Sequence, residues 1–138
     1  MRFLLIIASG LLTSCHSPDF DTARARAAYP YALHTTETTP VEVFRDGTEL
    51  TVVNSTANQW PAGVMWINQR FSAPMPTMDA GQMVKLSLND FYDDLGVQFP
   101  SGGLFAIRRP MPVRLVELQF DDQSSMIGLV AIRKSDAQ

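Results

Sequence analysis

Cysteine and histidine are scarce in this 138-residue sequence, and both are missing from most of it. There is one cysteine, Cys15, and the two histidines are His16 and His34. From Val41 onward the sequence contains neither residue. That part therefore lacks the commonest general base and the usual thiol nucleophile. A single cysteine also excludes a disulfide within the chain, so the folded part has to rely on its apolar core.

Blocks of like charge and long apolar runs are lacking as well. The net charge is −3, from 11 basic and 14 acidic residues that are interspersed along the chain. Without a basic block, nucleic acid is not expected as a partner. The run from Phe3 to Leu12 is about half as long as the roughly 20 apolar residues that a membrane-spanning helix needs. A membrane span is therefore not expected there.

The same apolar run has the layout of a secretory signal. Arg2 supplies a short basic region, the run supplies the apolar region, and small residues follow it. The run ends in Leu-Thr-Ser-Cys at positions 12–15, and the chain becomes polar at once. This motif resembles the lipobox of bacterial lipoproteins. The resemblance covers only the first 15 residues, and it implies that residues 1–14 are a signal peptide, removed before a diacylglyceryl-modified Cys15.

The resemblance also implies a location in the cell envelope. Two or more acyl chains on Cys15 would hold the mature chain firmly to a membrane, at about 0.8 kcal/mol per buried methylene. In that family an aspartate after the cysteine often retains the protein at the inner membrane, and here the next residue is His16. The periplasmic face of the outer membrane is therefore favoured if the source is Gram-negative.

Residues 15–40 are predicted to be the lipidated cysteine and a flexible tether. Proline, threonine, alanine and charged residues dominate this stretch, and no apolar period is sustained. His16 and His34 both lie in it and are expected to be solvated. One domain, residues 41–138, is expected to follow.

The sequence pattern of the predicted domain is typical of short β-strands. Asp46-Gly47 between β-rich runs indicates a hairpin, because a type I′ turn needs positive φ at both central residues. Residues 83–88 alternate between apolar and polar, and a short helical turn is predicted over 88–95, with Ser87 as its cap. The predicted strands are 41–45, 49–54, 63–68, 83–88, 104–108, 113–120 and 126–133.

About seven short strands predict an all-β domain, a small β-sandwich of immunoglobulin-like size with one short helical turn. A small barrel is the alternative. The Cys–Trp–Cys pattern of antibody domains is absent, so "immunoglobulin-like" describes the architecture and implies no family.

Two clusters of residues are candidates for metal binding or catalysis. Asp90, Asp93 and Asp94 supply oxygen ligands of the kind that Ca²⁺ takes, but their spacing is not that of an EF-hand, and aspartate near a helical start is ordinary capping. Met75, Met78 and Met83 supply thioethers that favour Cu(I), but methionine usually fills gaps in a core. No metal and no cofactor is expected.

Two loops, 55–62 and 69–78, are unusually apolar. Tryptophan and arginine are enriched at binding hot spots. The candidate residues for contact with a protein partner are therefore Trp60, Arg70, Phe71, Met75 and Met78. The alternative, which the sequence leaves open, is that the large side chains pack back over the ends of the sandwich as part of its core.

Taken together, these features predict a membrane-anchored bacterial envelope lipoprotein that presents a non-catalytic binding or structural module. Its predicted partners are the membrane, through the N-terminal lipid, and another envelope protein. The alternative is a metal-handling protein or an enzyme that uses the aspartate or the methionine cluster.

Overall fold

Seven β-strands form a single mixed sheet in the computed structural model, which describes residues 21–133. The strands are β1 (Thr38–Asp46), β2 (Glu49–Val53), β3 (Gly63–Ile67), β4 (Phe71–Met75), β5 (Met83–Ser87), β6 (Val116–Gln119) and β7 (Ile127–Arg133). Short 3-10 turns lie at Thr22–Arg24, Tyr31–Leu33 and Leu88–Asp90. Within residues 21–133 no helix has the length and the apolar character that crossing a membrane requires.

The sheet has the strand order β4-β3-β6-β7-β1-β2-β5. β1 and β7 are parallel, and every other neighbouring pair is antiparallel. These directions mean that β1, β3, β5 and β7 all finish at the same end of the sheet, which we call the upper end. The turns β1–β2 and β3–β4 and the start of β6 lie at this upper end.

The sheet curls around one apolar core. Met65 and Ile67 of β3 and Val43 of β1 contribute to a single buried cluster, which also includes residues of β2 and of the edge strand β4. Leu88, Phe91 and Phe99 add to this cluster from the chain that follows β5. Side chains from across the sheet can meet in one cluster only because the sheet folds over on itself.

The all-β class, the number of seven strands and a short helical turn after β5 are confirmed. The seven strands belong to one curled sheet, an arrangement that lies between the sandwich and the small barrel. The helical turn is shorter than predicted and ends at Asp90, although Ser87 does cap it by accepting a hydrogen bond from the Asn89 amide at 3.2 Å.

The β1–β2 hairpin follows from its sequence. Asp46 pairs with Glu49, so Gly47 and Thr48 form the turn. Gly47 has φ +57°, whereas Thr48 is not among the residues with positive φ. The hairpin prediction is confirmed, with positive φ at one central residue rather than at two.

Two strand predictions were wrong. Residues 104–108 form no strand: positive φ at Gly102 and Gly103 turns the chain away from the sheet, and the apolar side chains that follow face solvent. Residues 71–75, predicted as a loop, form β4. Pro74 is tolerated there because β4 is an edge strand, where a missing N–H breaks no ladder.

The structure also corrects the predicted tether from Asp21 onward, while Cys15 and His16 lie outside the described residues. Residues 21–37, which we call the strap, lie against the domain before the chain enters β1. The Asp21 amide donates to the Gly96 carbonyl at 2.9 Å, and the Met126 amide donates to the Leu33 carbonyl at 2.8 Å. Tyr29 is buried with Trp66 and Met126 in a second, smaller apolar cluster. This apolar contact and the hydrogen bonds together hold the strap in place.

Candidate functional site

The structure buries four of the five residues predicted to contact a partner. Trp60, Phe71, Met75 and Met78 each have at most 6% of their surface exposed, and all belong to the main core. Trp60 and Met78 also exchange backbone hydrogen bonds of 2.8 and 2.9 Å. Buried side chains cannot form a contact surface, so the alternative that the sequence left open is correct: these residues are core.

The fifth residue, Arg70, lies in an ion pair with Asp93. Arg70 Nη2 and Nε lie 2.7 and 2.9 Å from Asp93 Oδ2. The other carboxylate oxygen of Asp93 accepts hydrogen bonds from the amides of Val97 and Leu95, at 2.7 and 3.0 Å. Burial by itself raises the pKa of Asp93, but the hydrogen bonds from Arg70 and from the two amides outweigh it and hold the pKa below its usual value. The pair fixes the turn at 93–97 to the β3–β4 turn.

The structure does not assemble the acidic residues as a metal site. Asp93 is completely buried and fully engaged with Arg70 and the turn amides, whereas Asp90 and Asp94 are exposed. Among residues 21–133 no three His, Cys, Asp or Glu side chains are grouped so that they could hold a metal ion.

The three methionines of the other cluster have different surroundings. Met75 and Met78 are buried in the apolar core, while Met83, at the start of β5, is 59% exposed. Methionine that fills a core is the ordinary use of the residue. The structure therefore gives no support to a thioether site shared by all three.

Sequence reasoning missed a buried glutamate that forms a polar cluster with the strap. Glu117, in the middle of β6, has no exposed surface. Its carboxylate accepts a hydrogen bond from the Tyr29 hydroxyl at 2.6 Å and from the Thr35 amide at 3.2 Å, and it lies 2.8 Å from His34 Nδ1. Burial and the adjacent Glu117 carboxylate raise the pKa of Tyr29, so the phenol stays neutral.

The glutamate cluster has the composition of an acid–base site but the geometry of a structural one. Both oxygens of Glu117 are used by the strap, and in the described part of the chain every buried side-chain nitrogen and oxygen has a hydrogen-bond partner. The alternation of β6 places Glu117 opposite the core, which predicts a solvated side chain. The only sequence feature that indicated otherwise was the aromatic content of Tyr29–His34, which is unusual for a flexible tether.

A cavity of about 340 Å³ lies between the two edge strands, β4 and β5. Phe91 and Tyr92 contribute to its wall, and Arg24 and Arg26 of the strap line it as well. Arg24 is already engaged, since its Nη1 donates to the Tyr92 hydroxyl at 2.6 Å and its Nε lies 3.4 Å from Asp21. Arg24 is therefore not free to orient a ligand in the cavity.

The most exposed apolar surface is a loop that the sequence had assigned to a strand. We call residues 103–110 the exposed loop. Leu104, Phe105 and Ile107 are 91%, 92% and 88% exposed. Exposed apolar groups of this size mark sites of interaction with proteins or membranes.

The base of the exposed loop is fixed to the sheet. Arg45, near the end of β1, donates to the carbonyls of Ser101 at 2.8 Å and of Met111 at 2.6 Å. The Met111 amide in turn donates to the Pro100 carbonyl at 2.8 Å. The two ends of the loop are thus held together while its tip stays in solvent.

Comparison with known proteins finds no match: no family model matches the chain, and no curated protein and no solved structure is significantly similar to it.

Proposed function

We propose that this protein is a bacterial envelope lipoprotein, anchored to a membrane through a lipidated Cys15, that presents a non-catalytic β-domain as a binding or structural module. The observation that carries the proposal is the Leu-Thr-Ser-Cys motif at positions 12–15, directly after a short apolar run with a basic start. If the source is Gram-negative, the periplasmic face of the outer membrane is the favoured location, because His16 stands where an aspartate would favour the inner membrane.

The arrangement of titratable groups supports a module without catalysis. A catalytic acid or base needs a free position within hydrogen-bond reach of a substrate. The two buried carboxylates of the described residues, Glu117 and Asp93, have their oxygens taken by protein donors. They stabilise the strap and the turn at 93–97.

The exposed loop supports a module that binds. Its three large apolar side chains are almost fully exposed to solvent, and the two ends of the loop are fixed to β1. A soluble domain does not benefit from this exposure, whereas a bound surface would bury it at about 25 cal/mol per Å². The contact surface proposed from the structure is therefore the exposed loop, in place of the buried residues that the sequence suggested.

The anchor is tested by labelling and fractionation of cells that produce the full chain. The wild type is expected to incorporate a labelled fatty acid and to sediment with membranes until detergent is added. Cys15→Ser is expected to lose the label and to remain unprocessed or to leave the membrane fraction. Ser14→Ala is the matched control, because it keeps a small residue next to the cysteine and should retain the label. A wild-type chain without label would contradict the proposal.

A further inference from the structure

The exposed loop combines apolar side chains with free positive charge. Leu104, Phe105 and Ile107 are followed directly by Arg108 and Arg109, and all five residues are exposed. Within residues 21–133 neither arginine takes part in an ion pair. Other large apolar residues that are exposed, such as Met83 and Leu95, stand singly. The loop is thus the one place in the described part of the chain where a basic pair adjoins an apolar tip.

Two acidic groups near the base of the loop are already engaged. Gly103 lies beside Thr48 in the β1–β2 turn, which brings Asp46 and Glu49 near. Glu49 lies 3.3 Å from Lys85, and Asp46 takes part in an interaction of its own. The two arginines are therefore available for negative charge outside the domain.

The exposed loop also lies at the same end of the domain as Asp21, the first residue of the strap. Its base is held by Arg45, next to the β1–β2 turn at the upper end of the sheet. Asp21 lies at the same end. Its amide donates to the Gly96 carbonyl, and Asp93, in the same turn as Gly96, pairs with Arg70 of the β3–β4 turn at the upper end. Six residue steps separate Asp21 from Cys15, which is at most about 22 Å of extended chain. An anchor at Cys15 would therefore hold the upper end close to the bilayer.

We infer that the tip of the exposed loop inserts into the surface of the membrane that carries the anchor, with Arg108 and Arg109 against anionic phospholipid headgroups. This inference rests on the proposed function for the anchor. A bilayer accepts flexible apolar side chains without a shaped pocket, and arginine keeps its charge at the headgroups while its stem lies along apolar surface. Each basic residue near an anionic surface favours the bound state by roughly fivefold.

The test uses the full chain in vesicles of phosphatidylethanolamine and phosphatidylglycerol that contain a spin-labelled lipid quencher. Phe105→Trp places an indole at the tip, and Met83→Trp places one at the start of β5, at the opposite end of the sheet. The native Trp60 and Trp66 are buried, so the wild type gives the background. Insertion by about 5–10 Å predicts that F105W is quenched about threefold more strongly than M83W, and that its emission shifts to shorter wavelength.

A second arm tests the charge. Replacing phosphatidylglycerol with phosphatidylcholine, or introducing R108Q together with R109Q, is expected to lower the quenching of F105W and to leave M83W unchanged. L104W gives a second probe if F105W melts below the wild type. Equal quenching of F105W and M83W would overturn the inference. A blue shift of F105W without quenching would also overturn it, because the tip would then be covered by protein rather than by lipid.

Flotation of the same vesicles separates this inference from the proposed function. A wild-type chain that floats only when it carries lipid supports the anchor whatever the loop does. If the chain carries no lipid, the proposed anchor fails. In that case the chain without lipid is mixed with excess vesicles. F105W must then still be quenched more strongly than M83W, or the loop inference fails as well.

Discussion

Removing the carboxylate of Glu117 should release the strap from the domain. In Glu117→Ala, the Tyr29 hydroxyl and the Thr35 amide lose their acceptor, and His34 loses its neighbour. The variant is informative because Glu117 touches the strap at three points while its own strand, β6, is held by β3 and β7. The expected result is a domain that keeps its sheet but holds residues 21–37 weakly.

The magnitude follows from the burial of the group. Hydrogen bonds to a charged group contribute about 1.5–3 kcal/mol each, but a buried carboxylate costs several kcal/mol of lost hydration. Removing one partner of a buried charged cluster typically costs about 3–5 kcal/mol, because the remaining donors stay unsatisfied. We expect Glu117→Ala to lower the free energy of unfolding by about 3 kcal/mol, near the lower limit because His34 is partly exposed. Glu42→Ala is the matched control: this exposed glutamate on β1 should change stability by less than about 0.5 kcal/mol.

Two assays report on the change. Urea unfolding followed by tryptophan fluorescence gives the free energy, and Trp66 is a local reporter because its ring lies 5.3 Å from that of Tyr29. Limited trypsin digestion gives the second measure. Arg24 and Arg26 of the strap are exposed, but the Arg26 amide donates to the Asp93 carbonyl, and a detached strap would lose this bond and be cleaved faster. If Glu117→Ala unfolds at the same urea concentration as the wild type and resists trypsin equally, the structural role of the cluster is wrong.

Three further predictions concern stability. The pKa of Asp93 in the folded protein lies below 3.8, so the ionised carboxylate stabilises the fold above that pH, and this contribution is lost as the pH falls. Asp93→Asn should therefore flatten the decline of stability below pH 3.8 by up to about 1.4 kcal/mol per pH unit. An unchanged dependence of stability on acid pH would count against the ion pair. Trp60→Ala should cost about 3–5 kcal/mol in thermal or urea unfolding, as a core residue does, and a wild-type midpoint would return Trp60 to the candidate contact surface. Gly47→Ala should cost about 1 kcal/mol from positive φ alone, because nothing lies near its added methyl group, whereas Gly96→Ala should cost clearly more because its methyl group meets the Asp21 carbonyl; equal losses would mean that the strap does not press on Gly96.

Local sequence patterns were sufficient where the structure depends on near neighbours. The β1–β2 hairpin has alternating apolar residues and a glycine at the turn, and both features act within a few residues. The β3–β4 hairpin has no such feature, because its turn places Asn68 and Gln69, neither of them glycine, at positive φ. Asn68 is held there by hydrogen bonds to residues 112–115, more than 40 positions along the chain. A pattern read over a short window cannot show that contact.

The exposed loop and the buried glutamate were missed for a related reason. Residues 104–108 have the apolar content of a strand, but a strand also needs a partner, and positive φ at Gly102 and Gly103 directs this segment out of the sheet. Glu117 occupies a position that alternation marks as solvated, and it is buried only because the strap crosses it. Burial therefore depended on which distant segment covers each residue, and composition does not determine that.

The most direct test of the proposed function is the mass of the N-terminal tryptic peptide from protein extracted from membranes. Processing as a lipoprotein predicts a peptide that starts at Cys15 and ends at Arg24, with its mass raised by a diacylglyceryl group on sulfur and an acyl group on the amino terminus. A peptide that starts before Cys15, or one that starts at Cys15 with a free thiol, would contradict the anchor on which the account depends.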